Sequence, residues 1–512
     1  MLKRIPLAPF ALAMFPILAM LASNAKEVSL SIALRPLAVS LFVALLLLIL
    51  FRLILQRWDK AALVTSFLLV LFYSYGQVYY LLEVNPVAGV ILGRHRYLTI
   101  LYAGVLIVGL WGIIFKLKNN SSVLFIANVI SLTLLAMPVV QLFIFSFQVS
   151  PQQQYVVQAA FQSEKPLEPN LQTLPDVYYI VLDSHTRNDA LIEDYTIDNS
   201  AYLNELRELG FYVADCSRSN YDYTQGSMVA ALNMDYLTGL GPDLKELNSN
   251  DIWILLKQSR VRHLLENAGY KTVAFDTGYE WSRLEDADVY LSLGRDSYSL
   301  QKVNPFEAML IKSSALLILT DSQNQLLRSQ FKDINFPYSF HVNSQNFILE
   351  QLPQISKDSD PTFAFVHLMI PHVPFVFSSD GSIVSDPLFY NGKLSWPSDD
   401  GHLIQGYANQ IEYIDREMVE IVRTILAQSE TPPIIVIHGD HGLLDLNRYE
   451  ILNAYYLPGD GIKDLYPNIT PVNSFRIIFN KLFGMDYPLL PDVSFNQSGQ
   501  PVPEISPDCI DK

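Results

Sequence analysis

The sequence predicts an N-terminal α-helical transmembrane bundle followed by an α/β domain with a mainly parallel central sheet flanked by helices. Three observations carry that prediction. Apolar runs fill residues 1–147, five of them near 5–23, 36–55, 61–82, 97–115 and 122–147. The charge then changes sign: residues 1–150 hold 11 Lys/Arg against 3 Asp/Glu, which leaves 24 of the chain's 35 basic and 48 of its 51 acidic residues to positions 151–512. From residue 175 onward, β-branched stretches alternate with amphipathic patterns, as strands joined by crossover helices do. An acidic second part excludes nucleic acid as a partner, because phosphate backbones demand a basic footprint.

Each apolar run is long enough to cross about 30 Å of hydrocarbon. With the N-terminus inside, the cytoplasmic side collects Lys3, Arg4, Arg52, Arg57, Lys60, Lys116 and Lys118, and the other side Lys26, Arg35, Arg94 and Arg96. That bias follows the positive-inside rule. It makes the protein a multi-pass component of the cytoplasmic (inner) membrane, with everything after residue 150 extracytoplasmic or periplasmic. The first run, with Lys3 and Arg4 before it and Ser23-Asn24-Ala25 after it, also fits a cleavable signal peptide, which leaves the location unchanged. Tyr73, Tyr75, Tyr79 and Tyr80 resemble an interfacial aromatic belt. Residues 148–174, rich in Gln and Pro, form a linker. A catalytic domain over 175–512 follows. Its two cysteines, Cys216 and Cys509, either form one disulfide or stand as independent thiols.

Within that domain the strands are Val177–Leu182, Lys271–Phe275, Thr362–His367 and the run into Gly439, with a long helix over 403–427. Chemistry-bearing residues sit at the strand ends: Asp183 after the first, His367 and His372 at the third, Asp440 and His441 at the fourth. In a parallel sheet these ends share one edge, where open α/β sheets place their sites. Thr224 opens a helical run, Thr224-Gln-Gly-Ser-Met-Val-Ala-Ala-Leu-Asn233. It is either an ordinary N-cap or a nucleophile placed at a helix N-terminus, which favours an alkoxide and an incoming phosphate. A threonine hydroxyl reacts slowly until a metal or base takes its proton. A divalent ion held by Asp183, Asp440 and His441, with Thr224 as fourth ligand, supplies that activation. This donor set suits Zn²⁺ or Mn²⁺. Arg448 is either a phosphate clamp or half of a surface ion pair, and His185 either supports the site or is exposed. His341 has no supporting context.

Asp183 after a strand, Asn220-Tyr-x-x-Thr224, Pro371-His372-x-Pro374-Phe375 and Gly439-Asp440-His441-Gly442 together resemble the alkaline phosphatase/sulfatase superfamily. The resemblance is to its membrane-anchored branch, which includes lipoteichoic acid synthases and phosphoethanolamine transferases. It implies an alkaline phosphatase-like fold and Thr224 as covalent nucleophile. It further implies Asp183, Thr224, Asp440 and His441 around one metal, His372 at the transferred or leaving group, and His367 in support. Cys216-Ser-Arg-Ser-Asn220 lacks the proline and arginine context of formylglycine-forming sulfatases. The implied activity is transfer of a phospholipid headgroup from a membrane lipid donor to an envelope glycan or lipid. The alternatives are a sulfatase-like hydrolase of sulfate or phosphate esters on exported glycans, and a metal-free scaffold.

Overall fold

The computed structural model describes residues 5–25, 30–85, 92–118, 120–148, 167, 173–240, 249–278, 282–293, 303–320, 338–357, 360–384, 402–443, 448–459 and 461–503. The chain divides into two compact units, 1–148 with 295–339, and 149–294 with 340–512.

Among the described residues, the N-terminal part of the first unit holds five α-helices: α1 (Ala8–Ser23), α2 (Leu34–Leu55), α3 (Trp58–Val84), α4 (His95–Trp111) and α5 (Asn120–Gln148). Among the described residues, four segments are long and apolar enough to span a membrane: Leu30–Leu55, Trp58–Glu83, His95–Lys116 and Asn120–Phe145. The fifth expected span falls short. α1 has 16 residues, or about 24 Å at the helical rise. It packs against α2, α3 and α5, with Ala8, Ala11 and Ala13 buried, small side chains that let helices approach closely. Outward faces are apolar; Ile100 and Phe115 are 74% and 73% exposed. The tyrosines depart from the expected belt. Tyr75 and Tyr79 are buried, Tyr75 Oη bonds to His95 Nδ1 at 2.9 Å, and Tyr79 stacks on the same imidazole.

The sequence assigns residues 303–320 to the catalytic domain, whereas the structure packs them with the membrane helices. The helix Pro305–Lys312 buries Phe306 and Leu310 against Ile17, Leu21 and Ala33, and Leu317 joins Tyr75, Tyr79 and Leu98. A helix of 8 residues is too short to signal a membrane partner through its own hydropathy.

The second unit is built on a seven-stranded sheet of β1 (Val177–Leu182), β2 (Tyr212–Val213), β3 (Lys271–Phe275), β4 (Val289–Leu291), β5 (Thr362–Leu368), β6 (Ile434–Gly439) and β7 (Asn453–Tyr456) in the order β2-β7-β6-β1-β5-β3-β4. β1, β3, β4, β5 and β6 run parallel, while β7 and β2 extend one edge antiparallel. Every residue of β1, β5 and β6 is buried, as expected of central parallel strands covered on both faces. Register then places the site. Leu182 pairs with Leu368 on one side and Gly439 on the other, so Asp183 and Asp440 leave the sheet side by side. Cys216 is disulfide-bonded; the only other cysteine in the sequence, Cys509, lies outside the described residues. The expected linker likewise falls mostly outside them.

Candidate functional site

Asp183, His367 and Asp440 converge at the carboxyl edge of the sheet, all buried, with one ligand atom of each within 4.8 Å of the others. His367 Nε2 lies 3.3 Å from Asp183 Oδ2. His441 Nε2 lies 3.4 Å from Asp440 Oδ2 and 3.2 Å from Thr224 Oγ1. All four expected residues of the ligand and nucleophile set therefore meet. His367, expected in a supporting place, stands inside the cluster. His372 stands beside it, its ring edge-on to His441 at 6.5 Å, and its N–H donates to the Asp183 carbonyl at 3.0 Å.

The local chain explains each placement. Thr224 is the first residue of the helix Thr224–Asn233, and Tyr223 is the N-cap. Its hydroxyl is thus not a capping group and points to His441 instead. Gly439 is required, because a Cβ there would stand 2.2 Å from the His185 carbonyl oxygen. Ser184 has φ +63°, a left-handed conformation rare for a non-glycine residue and common at functional turns. That turn aims the Ser184 N–H at Asp440 Oδ1, at 2.8 Å, and its hydroxyl at Asp183 Oδ1, at 3.2 Å. Asp440 Oδ1 also accepts the His441 N–H at 2.9 Å. Asp440 Oδ2 is buried without a hydrogen-bond donor.

Tautomers follow from the partners. His441 Nδ1 faces the Gly442 carbonyl at 2.9 Å, and His372 Nδ1 the Val373 carbonyl at 2.7 Å. A carbonyl only accepts, so each Nδ1 carries a proton, which in the neutral ring leaves Nε2 a lone pair. Burial raises the pKa of Asp183, but His372, His367 and His441 more than reverse this and hold its carboxyl well below the usual range. His341, on the helix Tyr338–Gln351, lies within electrostatic reach of His372 and Asp183. Burial and His372 push its pKa down to about 4. Nothing in its sequence neighbourhood signals that position.

The site fits a divalent ion. Bonds of about 2.0–2.1 Å in a tetrahedron space the ligand atoms about 3.3–3.4 Å apart, and the three close pairs stand at 3.2, 3.3 and 3.4 Å. The buried Asp440 Oδ2 without a donor is the acceptor such an ion satisfies.

One helix, His402–Gln428, buttresses the whole edge. Tyr407 Oη donates to the Ser184 carbonyl at 2.7 Å. Gln410 Nε2 donates to the Pro371 and His372 carbonyls, both at 3.1 Å. Asp415 Oδ1 meets His185 Nε2 at 2.7 Å, which settles His185 as a buried support. Sequence reasoning missed these three; their signal was a polar residue at each of three buried positions of an amphipathic helix. Among the described residues, Arg448 is neither half of an ion pair nor aimed as a clamp. Its Nε donates to the Asp222 carbonyl at 2.6 Å and its Nη1 approaches the Leu443 carbonyl at 3.4 Å, joining the loop before Thr224 to the loop after His441. Asn220 is structural, accepting from Val472 N–H and donating to the Val493 carbonyl.

The Sulfatase family model matches residues 175–473, more than half of the chain. Among solved structures, the chain is similar to the C-terminal periplasmic domain of EcEptC from Escherichia coli in complex with Zn, at 14% identity and TM-score 0.41, over 64% of this chain and 87% of that one. It is also similar to the integral membrane lipooligosaccharide phosphoethanolamine transferase A from Neisseria meningitidis, at 12% identity and TM-score 0.35, over 88% of each chain. A third likeness is to the putative sulfatase yidJ from Bacteroides fragilis, at 12% identity and TM-score 0.36, over 62% of this chain and 76% of that one. No curated protein matches.

Proposed function

We infer the activity from one premise: the chain belongs to the sulfatase family. It is an enzyme of phosphoric- or sulfuric-ester chemistry, a phosphotransferase or a hydrolase. We propose that it is a membrane-anchored, metal-dependent phospho-group transferase with Thr224 as nucleophile. The observation that carries this reading is the Thr224 hydroxyl, first in its helix and 3.2 Å from His441 Nε2, beside the buried Asp183–His367–Asp440 cluster.

Asp183, Asp440, His441 and Thr224 would hold one Zn²⁺ or Mn²⁺, with His367 Nε2 as a further donor at the same cluster. When bound, the ion lowers the pKa of the Thr224 hydroxyl and offsets the charge that gathers on the phosphoryl oxygens. The Thr224 oxygen attacks phosphorus, a Thr–O–P bond forms, and the bond to the departing alkoxide breaks. His372 Nε2 takes the Thr224 hydroxyl proton and passes it to the leaving oxygen; in the second step it takes the acceptor hydroxyl proton, the acceptor oxygen bonds to phosphorus, the Thr–O–P bond breaks and the proton returns to the Thr224 oxygen. The helix N-terminus directs its free N–H groups at the phosphoryl oxygens. Ser184 keeps both carboxylates oriented.

Four apolar segments on the same chain support a phospholipid donor, because tethering raises the effective concentration of headgroups. The acceptor is then an envelope glycan or lipid, and the second unit lies outside the cytoplasm. Incubating the purified enzyme with radiolabelled phosphatidylethanolamine or phosphatidylglycerol and trapping phospho-Thr224 by mass spectrometry tests the reading. An unmodified Thr224 in an enzyme that turns over would overturn it. The family match alone equally favours a hydrolase of sulfate or phosphate esters. Release of free sulfate or phosphate from soluble esters, without phospholipid consumption, selects that second reading.

A further inference from the structure

In the membrane unit, α2, α3 and the inserted helix Pro305–Lys312 enclose a groove of about 600 Å³. Its walls are apolar: Pro36, Val39, Val43 and Leu47 come from α2, Leu68 and Phe72 from α3. The inserted segment is held tightly. Ala315 N–H donates to the Phe72 carbonyl at 2.8 Å. Gly76 permits the approach, since a Cβ there would stand 2.3 Å from the Lys312 carbonyl oxygen.

Depth and charge narrow the occupant. From Pro36 to Leu47 the α2 wall rises about 16 Å, one leaflet's share of a hydrocarbon core of about 30 Å. Val39 and Val43 are 57% and 43% exposed, so the groove opens sideways along an apolar helix face. Charge gathers at one end. Arg35, in the first turn of α2, donates through Nε and Nη2 to both carboxylate oxygens of Glu307, and Glu307 lines the groove. An apolar channel one leaflet deep, ended by the paired Arg35 and Glu307, matches one glycerophospholipid: an acyl chain along α2 and a headgroup at that ion pair.

We propose that the membrane unit holds a specific phospholipid in this groove. The site is separate from the chemistry at Thr224 and stands whether or not that reading holds. Native mass spectrometry of the full-length protein, purified from membranes in dodecyl maltoside, tests it. The wild type and Thr224→Ala should each retain one phospholipid. Val39→Trp with Val43→Trp should lower its occupancy at least tenfold. Val140→Trp, on the exposed face of α5, should leave it unchanged. Leu47→Trp, at the inner end of the groove, repeats the test if the double variant misfolds. No retained lipid on the wild type, full occupancy in the groove variants, or equal loss in Val140→Trp each overturns the proposal, the last by making the lipid part of the general annulus.

Discussion

The two units bury polar side chains to opposite ends. In the membrane unit, Asn128 is fully buried and serves the backbone: its Oδ1 accepts the Ala8 N–H and its Nδ2 donates to the Ile5 carbonyl, both at 2.8 Å. Ser40 likewise donates to the Ala13 carbonyl. These groups stitch helices together where no water can. In the α/β unit, Asp183, His367, Asp440 and His441 are as deeply buried, yet besides bonding the chain they turn ligand atoms toward one another. Asp440 even keeps an oxygen without a donor. Burial with complete pairing builds structure, whereas burial with lone pairs left over builds a site for a cation.

The sharpest way to break this contrast is Thr224→Ala. Turnover should fall on the order of 10⁴-fold with the thermal midpoint unchanged; a residual rate near wild type sinks the nucleophile. Asp183→Asn should cost on the order of 10³-fold in turnover, and the metal content of the purified protein should drop with it, as chelation of the wild type should reproduce. A fully active, metal-free Asp183→Asn would return the cluster to the structural class.

Next is acid stability. Burial pushes the pKa of His438 from its ordinary 6.5 down to about 4. Below pH 6.5 the unfolded chain takes up a proton that the folded chain refuses until about pH 4. Stability is full above that window and falls as the pH drops through it, by about 3 kcal/mol from this residue. Denaturant titrations of chelated protein at pH 7 and 4.5 should show the loss, and His438→Gln should lessen it.

Arg448→Gln tests whether a group outside the cluster acts through it. Losing the strut between Asp222 and Leu443 should lower kcat about tenfold, as loss of an orienting partner does, with KM little changed. A KM effect alone would mean that Arg448 binds substrate directly. The smallest effect belongs to the other unit. Asn128→Ala leaves the Ala8 N–H unpaired and should cost about 1 kcal/mol of stability with activity per folded molecule intact, measured by melting in detergent.

What the amino-acid order determined by itself is whatever depends on near neighbours. Hydropathy over some twenty residues marks spans, and β-branched runs mark β1, β5 and β6. Asp183 and Asp440 were legible as strand-end residues because strand and end are adjacent in sequence. Tertiary structure decided what depends on residues far apart. The Leu182–Gly439 register brings the two carboxylates together. The left-handed turn at Ser184 is held by Asp440, which accepts its N–H across 256 residues, and by Tyr407, which donates to its carbonyl. Tyr407, Gln410 and Asp415 become supports when their helix docks, and the short helix Pro305–Lys312 finds its partner among the membrane helices. Periodicity records which face of an element is apolar, but only the packed chain decides what that face, or a polar residue within it, will meet.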